Sequence, residues 1–344
     1  MKEILFVYKL LETDNEYVKR LVEIISTINN VRITNSLEEF WQPTKNYDLI
    51  IINWPEYLFK WRRNLEEVDI QNLKKQIGFH KKNTSKIMSI VHDEYAHHTK
   101  TIYRDQIFDI CYEQSDILAH LGSFSKTLYK EKYKNLPIQH YLLFHPLYKE
   151  FAFNLDQIES KKHIKIAENK NIIFVPGSVR DDYEYKLILK TFSQINLKNK
   201  ILLIQKVNSE IVPKRYSFQH FKLKFKKLYL RYFRGIIIGP NKHVTPLQLS
   251  YYFAASSIVL LSRYRILNSG NVYLANQFNK KIIGFETGNI TEWLRYGDDI
   301  VIDQNNLSLI NIENLNAKSN KNKFLKFHSD NNIKEQFTKI ISSL

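Results

Sequence analysis

Four short stretches carry side chains that could do chemistry. Trp54-Pro55-Glu56 follows the apolar run Asp48–Asn53. Proline stops a strand and turns the chain into a loop, so an indole and a carboxylate stand at a strand's carboxyl end. The ring can stack on a ligand and the carboxylate can accept hydroxyl hydrogen bonds. The alternative is Trp54 capping a core beside a solvated Glu56. His92-Asp93-Glu94-Tyr95-Ala96-His97 follows the run Lys86–Val91. A histidine near neutral pKa can donate to a hydroxyl or take a proton. His92, Asp93 and His97 raise the question of a metal, but there is no His-Glu-x-x-His spacing and no third clear ligand, so none is expected. The other reading is a pair of exposed loop histidines. Pro176-Gly177-Ser178-Val179-Arg180 follows Asn171–Val175, and Asn268-Ser269-Gly270 follows Ile258–Leu261. The second is a turn signal and a helix entry, where backbone N–H groups make an anion site.

The runs that end in these stretches must place them. Ile4–Tyr8, Val31–Ile33, Asp48–Asn53, Lys86–Val91, Ile117–Leu121 and Gln139–Phe144 read as strands, with helices over Asn15–Ile28 and Ser125–Tyr133. After a polar linker over 149–170, strands are expected at Asn171–Val175, Ile201–Gln205, Gly235–Ile238, Ile258–Leu261, Lys281–Phe285 and from Ile300. Helices are expected over Glu184–Ile195, Pro246–Ala255 and Asn271–Phe278, with a polar loop over Leu315–Asn332 and a last helix over Ile333–Leu344. Strands alternating with helices imply parallel α/β sheets, which bind ligands beyond the carboxyl ends of their strands. The expected domains are 1–150 and 171–330, followed by a terminal helix 331–344.

Composition narrows the classes. The 344 residues suffice for two domains, and the 44% apolar-plus-aromatic share can build cores. A single cysteine, Cys111, gives no disulfide framework. The first residues do not read as a secretion signal, and no run approaches the 18 apolar residues of a membrane span. A cytoplasmic protein is expected. Net charge is +16, from 51 Lys+Arg against 35 Asp+Glu, which favours anionic partners. No nucleic-acid-binding motif accompanies it, so no nucleic acid is expected. Lys214–Arg234 holds eight Lys or Arg and no acidic residue, with Phe218, Phe221, Phe225, Leu228 and Tyr232 at helical spacing. It reads as an interfacial helix on an anionic membrane, on the inner face of the cell membrane. A helix packed on its own domain with a solvated basic face reads equally well, and a phosphate-rich acceptor is a third reading.

Tyr264, Ser269-Gly270, Ala275, Lys281-Ile282-Ile283 and Gly288-Asn289-Ile290-Thr291-Glu292 together resemble the donor-binding segment of GT-B glycosyltransferases, in particular family 4. The resemblance extends to Trp54-Pro55-Glu56, with Asn53 in place of the family's histidine, and to His92 and His97, with Asp93 and Ala96 replacing Asn and Pro. It implies two Rossmann-like α/β domains facing a cleft, with the terminal helix 331–344 packing back on the first. It implies a donor-diphosphate site at Gly177, Arg180 and Lys186, although Lys186 lies about three residues beyond the usual spacing and is otherwise a helix-surface lysine. It implies base contacts at Thr245 and donor contacts at Tyr264, Asn268, Ser269, Gly270 and Glu292. A helix-start carboxylate is an equal reading of Glu292. His92, Asp93 and Glu56 are the implied catalytic groups, and Trp54 and His97 the acceptor or sugar contacts. Two glutamates that many family 4 enzymes carry fall here near Leu267 and Ala275, which leaves the ribose contact unassigned.

The expected function is transfer of a sugar from a nucleotide sugar, UDP-sugar favoured, to a glycan or lipid-linked acceptor, without cofactor or metal, retaining, in bacterial surface polysaccharide synthesis. The competing expectation is a non-catalytic peripheral membrane or glycan-binding protein on the same fold.

Overall fold

The computed structural model describes residues 1–10, 15–83, 85–94, 102–207, 235–239, 244–312 and 321–344. His97 and Lys214–Arg234 lie outside them. The chain forms two compact units. The first comprises Met1–Tyr148, Ile266–Asn268 and Lys326–Leu344; the second comprises Lys149–Arg265 and Ser269–Leu325.

In the first unit, β1 (Lys2–Phe6), β2 (Val31–Asn35), β3 (Leu49–Ile52), β4 (Lys86–Val91), β5 (Ile117–His120) and β6 (Gln139–Leu142) form one parallel sheet. Its order is β2-β1-β3-β4-β5-β6, so the strand order reverses between β1 and β3. The central strands are apolar without alternation because helices cover both faces: Leu49–Ile52 and Ile87–Val91 are buried throughout. Around the sheet lie α1 (Glu16–Ser26), α2 (Glu38–Trp41), α3 (Glu67–Lys82), α4 (Ile102–Glu113) and α5 (Ser123–Lys132). The sequence reading passed over α3. Ile70, Leu73, Ile77 and His80 form its buried stripe, and Glu66 with Asp69 makes a reciprocal capping box.

In the second unit, β7 (Asn171–Val179), β9 (Lys200–Val207), β10 (Ile236–Ile238), β11 (Ile258–Leu261), β12 (Lys281–Phe285) and β13 (Ile300–Ile302) form a second parallel sheet, ordered β10-β9-β7-β11-β12-β13. Here the reversal lies between β7 and β11. This is the order of Rossmann sheets, whose ligands sit at that reversal. Short strands β8 (Ile195–Asn196) and β14 (Ile310–Asn311) pair separately.

Two stretches expected as polar linker or loop are partly helical. Within 149–170, α6 (Gln157–His163) starts at Asp156, whose carboxylate accepts from the N–H groups of Ile158 and Glu159. Gln157 Nε2 donates to the Ser256 carbonyl, at the end of α8 (Pro246–Ala255). Within Leu315–Asn332, a helix spans Lys321–Phe327, anchored by the buried Phe324. Few apolar residues suffice when one is fully buried. The last helix, Asp330–Ile341, is counted with the first unit. Asp330 takes both oxygens to Arg20 Nη2 (2.6 and 2.7 Å), Gln336 Oε1 accepts from the Phe144 N–H, and His328 Nδ1 donates to the His145 carbonyl.

Candidate functional site

The reversal between β1 and β3 is lined by aromatic rings. Tyr8 follows β1, Asn53 and Trp54 follow β3, and His92 follows β4. Tyr8 stacks on Tyr57 at 4.3 Å and lies 5.8 Å from Trp54. The His92 ring sits 4.9 Å from Trp54 and meets Tyr17 edge-on at 4.8 Å. His92 is 8% exposed. Its Nε2 is 2.8 Å from Asn53 Oδ1. A carbonyl oxygen only accepts, so in this contact Nε2 is the donor. Asn268, expected at the donor, instead belongs to the first unit, where its Nδ2 donates to the His92 carbonyl at 2.7 Å. Asp93 lends its carbonyl to the Tyr112 hydroxyl.

Glu56 is neither solvated nor open to a ligand. It is 2% exposed and ion-paired with the equally buried Arg104 of α4. The pair pins the turn Pro55–Phe59, after which Lys60 and Trp61 follow at φ 50° and 59°. Left-handed backbone at two successive non-glycine residues costs on the order of 1–3 kcal/mol each and persists only where the surroundings dictate it. Here the N–H groups of Lys60, Trp61 and Arg62 are held by the carbonyls of Tyr57, Glu56 and Phe59. Two buried polar atoms in this region have no partner among the described residues: Asn53 Nδ2 and the Tyr17 hydroxyl. Burial raises the Tyr17 hydroxyl's pKa far above the ordinary range, so it stays protonated.

The reversal between β7 and β11 is polar and cationic. Gly177 has φ +85°, and a Cβ there would lie 3.6 Å from Asn271 Nδ2, at the start of α9 (Gly270–Gln277). The Gly177 N–H donates to Gln205 Oε1 at 2.6 Å. Ser269 is the N-cap of α9 but its side chain bonds none of the helix's first N–H groups. Glu184, 1% exposed, is the hub of this end of the sheet. It accepts from the Arg180 N–H (2.8 Å), the Ser262 hydroxyl (2.6 Å) and Arg263 Nη1 (2.9 Å). Arg263 also donates to the Ser178 carbonyl. Burial pulls the Arg263 pKa down to about 10, with Glu184 opposing it, so it remains charged at neutral pH.

The structure therefore gathers Gly177, Arg180, Ser269 and Gly270 at one end of one sheet. The side chains of Arg180 and Lys186 are exposed, Lys186 on α7 (Asp182–Gln194). Tyr264 packs edge-on against Tyr183 at 4.9 Å. Thr245 spends its hydroxyl as the N-cap of α8, accepting from the Gln248 N–H. Glu292 lies in the first turns of α10 (Gly288–Tyr296), after β12. Sequence reasoning missed Arg263, Glu184, Gln205 and Asn271. A basic residue two positions past β11 was the available signal for Arg263; Glu184 and Gln205 become visible only once the sheet is assembled.

No protein-family model matches this chain, and no curated protein sequence matches it. Solved structures do, over its whole length. HepE from Anabaena, crystallised with UDP-glucose, superposes with a TM-score of 0.65 at 11% identity over 100% of both chains. Sucrose-phosphate synthase from Thermosynechococcus elongatus gives 0.58 at 9% identity, over 98% of this chain and 94% of its own. The lipopolysaccharide outer core galactosyltransferase WaaB gives 0.58 at 10% identity, over 99% and 100%.

The fold is GT-B. The GT-B likeness accounts for two parallel six-stranded sheets in one chain and for their strand orders. Identities near 10% carry the architecture and leave the chemistry to the residues.

Proposed function

We propose that this protein is a glycosyltransferase that takes a nucleotide sugar at the β7/β11 reversal and transfers its sugar to an acceptor at the first unit. The observation that carries the reading is the meeting of Gly177, at φ +85°, with the first residues of α9. A glycine lets a diphosphate approach the backbone, and the helix's first N–H groups face it. HepE's complex with UDP-glucose supports UDP as the nucleotide. Arg180 supplies charge from the solvent side, and Arg263, held by Glu184, supplies a second cation. As the bond from the sugar's anomeric carbon to phosphate breaks, negative charge grows on the leaving diphosphate, and these cations stabilise it without a metal. His92 stands with the acceptor, its Nε2 donating to Asn53. Glu56 holds the turn that carries Trp54 and acts through it. Retention of configuration and a place in bacterial surface polysaccharide assembly belong to the same reading; WaaB, by its name, works on lipopolysaccharide.

Calorimetric titration tests the donor site. UDP should bind wild type, chelator should not change this, and Gly177→Val should weaken it roughly tenfold or more, through backbone strain and blocked approach. Arg180→Ala should weaken it by about 10- to 150-fold, the worth of a hydrogen bond to a charged group. Wild type that binds no nucleoside diphosphate would end the reading. The basic segment Lys214–Arg234 is part of the proposal as a lipid contact. Changing Lys222, Lys226 and Lys227 together to Glu should abolish sedimentation with anionic liposomes, and equal sedimentation would remove the membrane from the account.

A further inference from the structure

The turn after β3 presents more aromatic surface than a core needs. Trp61 is 39% exposed, yet its ring lies 5.9 Å from Trp54 and 6.2 Å from Tyr57. An exposed indole in left-handed backbone is an unfavourable choice for a loop residue, where a glycine or asparagine would adopt that φ without cost. Three backbone hydrogen bonds and the buried Glu56–Arg104 pair fix it there. The inner end of the same aromatic strip holds Asn53 Nδ2, a buried donor, and the Tyr17 ring lies 6.1 Å from Trp54 and carries a buried hydroxyl; neither polar atom has a partner among the described residues. Buried polar groups are normally satisfied, so each calls for a partner.

We infer that this strip is a carbohydrate subsite, and that the acceptor is an oligosaccharide of at least two residues. The inference rests on the glycosyltransferase reading and names its acceptor class. Pyranose rings match the chemistry. Their axial C–H faces lie flat on aromatic rings, and their hydroxyls both donate and accept at the rim. The inner sugar packs on Trp54 with its hydroxyls on Asn53 Nδ2 and Tyr17. The next sugar packs on Trp61, the outer step of the platform. A lipid tail does not use both features: acyl chains leave Asn53 and Tyr17 unpaired, at the cost of buried polar groups without partners.

The test uses the full chain and a panel of maltotriose, cellotriose, chitotriose and laminaritriose, read by saturation-transfer NMR and by tryptophan fluorescence. At about 10 mM, above a millimolar dissociation constant, at least one should bind wild type. Trp61→Ala should weaken that binding roughly tenfold, the worth of one stacked ring, and Trp61→Phe should restore most of it. The matching monosaccharide should lose nothing in Trp61→Ala, because it occupies only the inner position. UDP titrated into the same variants should bind as in wild type. No binding by any trisaccharide, or equal binding by wild type and Trp61→Ala, overturns the inference. A wild type that binds trisaccharide and loses it in Trp61→Ala but ignores UDP would uphold the subsite and refute the donor reading instead.

Discussion

Arg104→Met should destabilise the first unit by about 3–5 kcal/mol, because it leaves the Glu56 carboxylate buried without its cation. Both members of the pair are almost wholly inaccessible, and Glu56 sits in the turn Pro55–Phe59 that carries Trp54 and Trp61. A buried ion pair is worth little against well-packed apolar replacements, whereas half of one is expensive. Adding Glu56→Met to Arg104→Met should therefore recover much of the loss. Urea unfolding of the wild type, the two single variants and the double variant gives the coupling energy. A double variant as unstable as the sum of the singles would show that the two side chains do not act as a pair.

Acid should unfold the first unit well before ordinary carboxylate titration. Five of its histidines are held neutral by burial. The pKa of His140 is pushed down to about 4 and that of His328 to about 3. His80, His120 and His145 are lowered too, burial being the largest cause in each. In the unfolded chain each protonates near pH 6.5. Between that value and the folded value the unfolded chain binds more protons, so stability falls as pH falls. The stabilisation is complete above about pH 6.5 and is lost downward at about 1.4 kcal/mol per pH unit for each group still neutral in the fold. By pH 4.5 the loss should reach several kcal/mol. Three of the four tryptophans, Trp41, Trp54 and Trp61, lie in the first unit, so fluorescence in urea at successive pH values follows it. Replacing His328 with Gln should flatten the profile. A flat profile in the wild type between pH 6.5 and 4.5 would contradict burial of these imidazoles.

How much of this was legible in the sequence depends on how local each feature is. The central strands were plain, since Leu49–Ile52 and Ile258–Leu261 are unbroken apolar runs that only a two-faced parallel sheet buries. So were the loops that end them, because Pro55 and Gly177 mark their own positions. Helix α3 was hidden because polar and charged residues fill most of the positions around its stripe of Ile70, Leu73 and Ile77. The role of Glu56 was misread as solvated or substrate-facing because its partner Arg104 is 48 residues away and nothing local announces it. Arg263 sat next to residues already chosen, but its value depends on Glu184, which reaches it only after β7 and β11 pair. Residues whose role is set by their own backbone can be read one at a time; residues whose role is set by a distant charge cannot.

The assignment of Lys326–Leu344 to the first unit bears on how the chain is made. The ribosome releases Tyr148 long before Lys326, about 180 residues later. At ordinary elongation speeds of 5–20 residues per second that interval is roughly 10–35 s. Throughout it, the nascent first unit lacks Asp330 for Arg20, Gln336 for the Phe144 N–H and His328 for the His145 carbonyl. The earlier-born half is thus the later-finished one. A vectorial order of maturation follows, in which the second unit closes its sheet while the first still waits for its last helix, and a chain that stalls before residue 326 should be a preferred client of chaperones.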